Sequence, residues 1–387
     1  MKKVLLVMLA LAMVLSVAAC SQPAPAASSS AAASVSESAS AAASSSAPAS
    51  SDASASTSAA SNGKLAGKSV AICTATATHG FNSELIVHAQ NTIKKLAAEY
   101  GFTAKVVTCE DSTAQVNALE TLKGEGHDMI MVSAVVGEDI RAVCNDIIAS
   151  GTKLFVFSRA IGNIQCPEYL GDQYGMGKTQ ADYLLNFFKD DIAAGKDIQV
   201  LEFYGDDSVN SQERSRGLNE TLNAKGVKVN QKFRCDWARQ KSMENMENWL
   251  SNAQGKDISN IRAIVTQDDE ISYGIMDAIE QTTSGVDLSK LNLFVSIGSQ
   301  KNWLDKMDEY KTKYGITLAG LDYAPTYAIK AIEMGVQWLA GEVQLEPKDY
   351  TFIPAIVDAS KKAEYMNSDT FKTRYSIFDD KGNLIAK

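Results

Sequence analysis

The stretch DMIMVSAVVGEDIRAVCNDIIASGTKLFVFSR, residues 128–159, reads as strand, helix, strand. DMIMVSA (128–134) and KLFVFS (153–158) are short, continuous apolar runs, as expected of strands covered on both faces of a parallel sheet. Between them Ile140, Val143, Cys144, Ile147 and Ile148 recur on one helical face. Two such strands joined by a helix form a right-handed βαβ crossover.

The same alternation extends in both directions. SVAIC and AKVVTC precede this unit; DIQVLEF, VKVNQKF, IRAIV, LNLFVSIG and GITLAGL follow it. Leu85, Ala89, Ile93, Leu96 and Tyr100 keep one face of a further helix. The body is therefore expected to be α/β and doubly wound. In such sheets ligands bind beyond the carboxyl ends of the strands. Those positions read Thr74–Asn82, Ser133, Ser158 and Arg159 in the first half. In the second half they read Tyr204–Arg214, Asp236 and Trp237, Gln267–Glu270, Ser299 and Gln300, and Asp322 and Tyr323. This set mixes carboxylates, amides, arginines and aromatics. It suits a neutral polyhydroxylated ligand, whose hydroxyls need acceptors and donors and whose C–H faces stack on rings.

The chain has 387 residues and a formal charge of −9, with no Lys/Arg-rich patch, which argues against nucleic acid as a partner. MKKVLLVMLALAMVLSVAAC (1–20) reads as a secretory signal peptide. Residues 21–63 are almost entirely Ser and Ala, too poor in apolar side chains to offset the entropy of ordering. A flexible tether of that length spans roughly 35–40 Å end to end. Residues 64–387 then exceed what one core usually holds, so two lobes are expected. Five cysteines follow Cys20 without a C-x-x-C, and buried thiols are the expected state. His79, His88 and His127 show no metal-ligand spacing, and only His79 falls at a strand end. No G-x-S-x-G or Ser/His/Asp set is visible, so neither a cofactor, a metal nor an enzymatic activity is expected.

Six blocks, in order, resemble the sugar-binding branch of type 1 periplasmic binding proteins, the substrate-binding subunits of ABC importers. They are GFNSELIVHAQNTIKKLAAEYG (80–101), the opening stretch with its preceding Gly126 and His127, YLGDQYGMGKTQADYLL (169–185), NSQERSRGLNETL (210–222), DWARQKSMENMENWL (236–250) and IVTQDDEISYGIMDAI (264–279). The resemblance covers about residues 66–357. It implies two doubly wound parallel-sheet lobes joined by three hinge crossings, 64–171 with 323–353 and 172–322 with 354–387, and ligand in the cleft between them. The residues VAAC (17–20) resemble a lipobox, which makes Cys20 the expected lipid-carrying residue and the protein a lipid-anchored extracytoplasmic one.

By the same resemblance Phe81 and Trp237 are ring-stacking aromatics of the two lobes, with Asn82 and His79 beside Phe81. Asp268 accepts ring hydroxyls, Arg159 reaches into the cleft, Gln212 or Arg214 donates from the second lobe, and Asp322 is a polar residue at a hinge crossing. Asp269 and Glu270 are expected to cap and complement the helix that follows. Three positions depart from the pattern. Ser158 and Ser299 stand where the family has Asp, and HGFN (79–82) replaces two adjacent aromatics. The loss of the two carboxylates, both strong acceptors, leaves open a less hydroxylated, anionic or modified ligand. The implied function is delivery of a sugar or sugar-like solute to an ABC permease. A sensor subunit presenting a signal such as autoinducer-2 to a membrane receptor is the alternative. A lactose-repressor-type regulator shares the fold, but the leader peptide and the lack of an N-terminal helix-turn-helix argue against it.

Overall fold

The computed structural model describes residues 63–77, 80–375, 377–378 and 384–386. The leader, Cys20, the Ser/Ala tract and His79 lie outside them. Two six-stranded sheets carry the molecule. The first holds β1 (Ser69–Ala75), β2 (Thr103–Cys109), β3 (Met129–Val132), β4 (Lys153–Phe157), β5 (Glu168–Gly171) and, from much later in the chain, β11 (Asp349–Phe352). The second holds β6 (Gln199–Tyr204), β7 (Lys228–Arg234), β8 (Ile261–Thr266), β9 (Leu293–Ile297), β10 (Thr317–Leu321) and β12 (Ile356–Asp358).

Their orders are β11-β5-β4-β3-β1-β2 and β12-β10-β9-β8-β6-β7, the same winding used twice. Within these two sheets all pairings are parallel except β10 with β12. In each sheet the order reverses beside its first strand, and the crevice of a doubly wound sheet opens there.

Twelve helices accompany the strands among the described residues. They are α1 (Gly80–Tyr100), α2 (Ser112–Glu125), α3 (Gly137–Ala149), α4 (Gln173–Phe187), α5 (Lys189–Ala193), α6 (Val209–Asn223), α7 (Arg239–Ala253), α8 (Asp269–Gln281), α9 (Lys301–Tyr314), α10 (Tyr327–Leu339), α11 (Lys362–Met366) and α12 (Asp369–Arg374). Helices α2 and α3 pack on one face of the first sheet, where Leu119, Leu122, Ile140, Val143, Cys144 and Ile147 are buried against Ile130, Val132 and Val156. Helices α7, α8 and α9 do the same for the second sheet, around Trp249, Ile275, Trp303 and Phe294. The helical face expected at 140–148 is thus the buried one, except that Ile148 is only partly covered. All five described cysteines are buried free thiols.

The chain passes between the sheets three times, after β5, after β10 and after β11. These passages are bound to one another. The Asp172 amide donates to Phe352 O at 2.8 Å and the Asp322 amide to Ala355 O at 2.8 Å. The Asp172 side chain also caps α4 by accepting from the Gly175 amide.

Just past the first passage, α4 crosses α6 so closely that only glycine fits at the contact. A Cβ on Gly217 would lie 2.1 Å from Tyr174 O, and one on Gly177 would lie 1.9 Å from Arg214 O. Backbone cannot yield as a flexible side chain can. Gly217→Ala is expected to cost about 1–3 kcal/mol and lower the melting temperature by several degrees. A thermal melt within a degree of wild type would show that the helices part freely. None of the helices among the described residues is long and apolar enough to cross a membrane.

Candidate functional site

The carboxyl ends of both sheets face one cavity that is partly open to solvent. Phe81 and Asn82, at the start of α1, and Ser158 and Arg159, after β4, come from the first sheet's side. Asn210 and Arg214 on α6, Trp237 after β7, Gln267, Asp268 and Asp269 after β8, Ile297 at the end of β9, and Gly298 and Gln300 after it come from the second. Tyr323, at the second passage between sheets, lines it too.

Asp268 occupies the N-cap of α8 with extended backbone, its Oδ1 accepting from the Glu270 amide at 2.6 Å and the Ile271 amide at 3.2 Å. Asp268 lines the cavity and is partly buried, and that burial pushes its carboxyl up to about 6 against the pull of the two amides. The cap was expected from Asp269 and Glu270, and here the structure differs. Asp268 itself caps, because a helix N-cap must precede the first helical residue. Asp269 instead points down into the protein. It is buried, accepts from the Gln300 amide at 3.0 Å, and is pushed by burial up to about 8, with Arg374 opposing. Glu270 keeps the first-turn position that complements the helix dipole.

Gln267 fixes this loop. Its Oε1 accepts from Ser211 Oγ at 2.5 Å and the Gly205 amide at 3.2 Å, and its Nε2 donates to Ser211 O at 3.0 Å. Arg214, only 5% exposed, donates from Nη1 to Gln267 O at 2.6 Å and from Nε to Gln173 Oε1 at 2.7 Å. Its guanidinium lies 5.4 Å from the Tyr323 ring centre and 5.7 Å from that of Trp237. Burial lowers its pKa. Arg159 is half-buried and donates to Val135 O at 3.1 Å.

Trp237 sits in the left-handed region at φ 59°, directly after Asp236 at φ 49°. Two consecutive left-handed residues that are not glycine are strained backbone. The indole lies so close over Gly205 that a Cβ there would come within 2.1 Å of it. Ser158 (φ 71°) and Ser299 (φ 51°) are left-handed as well. Four of the five non-glycine residues with positive φ among those described thus end strands at this cavity or flank its lining residues. Such strain collects at ligand clamps, where surrounding structure holds it.

The structure brings Phe81, Asn82, Arg159, Arg214, Trp237 and Asp268 around one cavity. Phe81 also stacks on Tyr323, ring centres 5.3 Å apart and nearly parallel. Two expected residues are elsewhere. Gln212 is exposed, donates to Asp207 O at 2.7 Å and lines a separate surface groove, because two residues along a helix turn a side chain some 200° away from Arg214. Asp322 stands at the second passage as expected, but its carboxylate accepts from Tyr365 Oη at 2.6 Å and faces a different groove. Tyr323, Asn210, Gln267 and Gln300 belong to the strand-end segments named from the sequence. Arg374 had no signal there.

A periplasmic binding protein domain profile matches residues 70–342. A comparison with curated proteins returns no match. Among solved structures, a galactofuranose binding protein superposes with a TM-score of 0.66 at 19% identity, covering 80% of this chain and 100% of that one. The arabinose ABC transporter binding protein from Shewanella sp. ANA-3, bound to L-arabinofuranose, gives 0.66 at 16%, covering 80% and 96%. The fructose-binding periplasmic domain of a hybrid two-component system gives 0.63 at 17%, covering 77% and 93%. With two like-wound sheets, three passages between them and a cavity at their carboxyl ends, the chain belongs to the periplasmic binding protein domain family.

Proposed function

We propose that the chain is an extracytoplasmic solute-binding lipoprotein, which captures a sugar or sugar-like solute between lobes 64–171 with 323–353 and 172–322 with 354–387 and delivers it to an ABC permease. The observation that carries this reading is the cavity lining. Two aromatic faces, Trp237 and Phe81, stand beside an acceptor, Asp268, and two guanidinium donors, Arg159 and Arg214, with contributions from both lobes. A polyhydroxylated ring uses every one of these, its C–H faces on the rings and its hydroxyls on the carboxylate and the donors. Asp268, near 6, is mostly ionised at neutral pH and so accepts. The similarity to furanose- and fructose-binding structures agrees with this class of ligand.

No chemistry is performed on the solute. Ligand contacts spanning the cleft favour the closed arrangement over the open one, and closure is what a permease would read. Cys20 carries the lipid and residues 21–63 hold the lobes off the membrane. Cys20→Ala should then move the protein from the membrane to the soluble fraction, and a variant that stays membrane-bound contradicts the anchor.

A thermal-shift screen against furanoses, pyranoses, inositols, sugar acids and phosphosugars tests the ligand class. A ligand at a hundred times its Kd adds ~2.7 kcal/mol of stability, well above detection. A shift with a sugar supports the reading, and silence across all of them overturns it. The sensor alternative keeps the same cleft and changes the partner, in line with the two-component sensor domain among the similar structures. Crosslinking in intact cells to a permease or to a receptor kinase separates the two.

A further inference from the structure

Residues beyond 342 lie outside the matched family profile, yet they reach the cavity. Arg374, the last residue of α12, is 5% exposed and lines it. Its Nε donates to Glu84 Oε2 at 2.7 Å, its Nη2 to Glu84 Oε1 at 3.4 Å and its Nη1 to Gly298 O at 2.8 Å. Glu84 is on α1, which follows β1 of the first sheet, whereas Gly298 follows β9 of the second. One guanidinium therefore joins the two sides of the cleft.

The segment that carries Arg374 is fastened mainly to the second side, its backbone at Arg374 being also hydrogen-bonded to His88 of α1. Tyr365 and Phe371 are buried in that lobe's outer core with Trp303 and Val357. Ser368 caps α12 by accepting from the Phe371 amide at 3.2 Å. Tyr375 Oη accepts from the Lys301 amide at 2.8 Å, at the start of α9. Tyr365 Oη donates to Asp322 at the second passage. Were the lobes to part, the bond to Gly298 O would travel with the segment, and the pair with Glu84 and the bond to His88, both on α1, would break.

We propose that the C-terminal segment is a working part of the binding site, in which Arg374 forms a cavity wall and latches the lobes by its ion pair with Glu84. The two-pronged geometry suits a guanidinium, whose planar fork meets both carboxylate oxygens of Glu84 while its remaining nitrogen holds a carbonyl. A lysine at 374 could not make all three contacts. Arg374 also places a positive charge beside buried Asp269, opposing the rise that burial imposes on its carboxyl. Ligand affinity follows because a closed arrangement held partly by the latch requires less from the ligand's own contacts.

The proposal rests on the cleft being the ligand site, so its test has one arm that needs no ligand. Nitroxide labels on Val87→Cys of α1 and Asn302→Cys of α9, both exposed, in a chain with Cys20→Ser, report the distance between the two sides by pulsed electron resonance. Without ligand, Glu84→Gln and Arg374→Met should each add a longer-distance population absent from the latched chain. Glu84→Gln, the milder change at a partly exposed position, keeps the test valid if Arg374→Met does not fold. The second arm titrates the sugar that gives the largest thermal shift. Both variants should raise its Kd by about five- to tenfold, through faster release. Identical ligand-free distances for the three chains overturn the latch. If no sugar binds, the ligand reading fails while the distance arm still decides the latch.

Discussion

Arg214→Met should raise the ligand Kd by at least about a hundredfold and lower the melting temperature as well, because two charge-assisted hydrogen bonds of about 1.5–3 kcal/mol each are lost at once. Arg214 holds Gln267 O, and with it the turn that presents Asp268, while its other donor ties α6 to Gln173 at the first passage between lobes. Methionine fills similar volume but leaves the Gln267 carbonyl and the Gln173 amide oxygen without their donor. Arg214→Lys should not rescue, since a single ammonium cannot reach both acceptors and lie between the Tyr323 and Trp237 rings. Calorimetric titration measures the first effect and a thermal melt the second. A methionine variant binding within about threefold of wild type would show that the turn holds its shape unaided.

Trp237→Ala should weaken binding by about ten- to a hundredfold with far less effect on stability, since loss of ring stacking and burial is on the order of 1–3 kcal/mol. The strain at Asp236 and Trp237 sharpens the expectation. Two left-handed residues in sequence set where this ring lies, and alanine removes the ring while the backbone is still held by its neighbours: the Cys235 and Asp236 amides donate to Tyr204 O at 2.9 Å and Gly205 O at 2.7 Å. Trp237→Phe should recover part of the affinity. Equal binding by wild type and Trp237→Ala would remove this residue from the site.

The doubly wound body was legible because its interior strands, such as KLFVFS and IRAIV, are unbroken apolar runs and its helices keep a clear period. The strands that carry the passages were not. β5, β11 and β12 are three or four residues each, too short for any period, and β11 alternates exposed with half-exposed positions. Order along the chain pointed to strand ends, and the cavity is indeed lined from those segments. It could not choose between residues two apart on a helix, as Gln212 and Arg214 show. Nor could it foresee that Asp268 would cap α8 and face the cavity at once, since one carboxylate oxygen suffices for the cap. Arg374 lies more than fifty residues past Tyr323, in a segment with no periodic or motif signal, and only tertiary packing brings it to the cleft.

A crystal structure of the chain grown with its best-stabilising sugar tests the central claim most directly. The sugar is expected between the lobes, one face on Trp237, hydroxyls donating to Asp268 and accepting from Arg159 or Arg214. Sugar bound anywhere else, with this cavity occupied only by water, would contradict it.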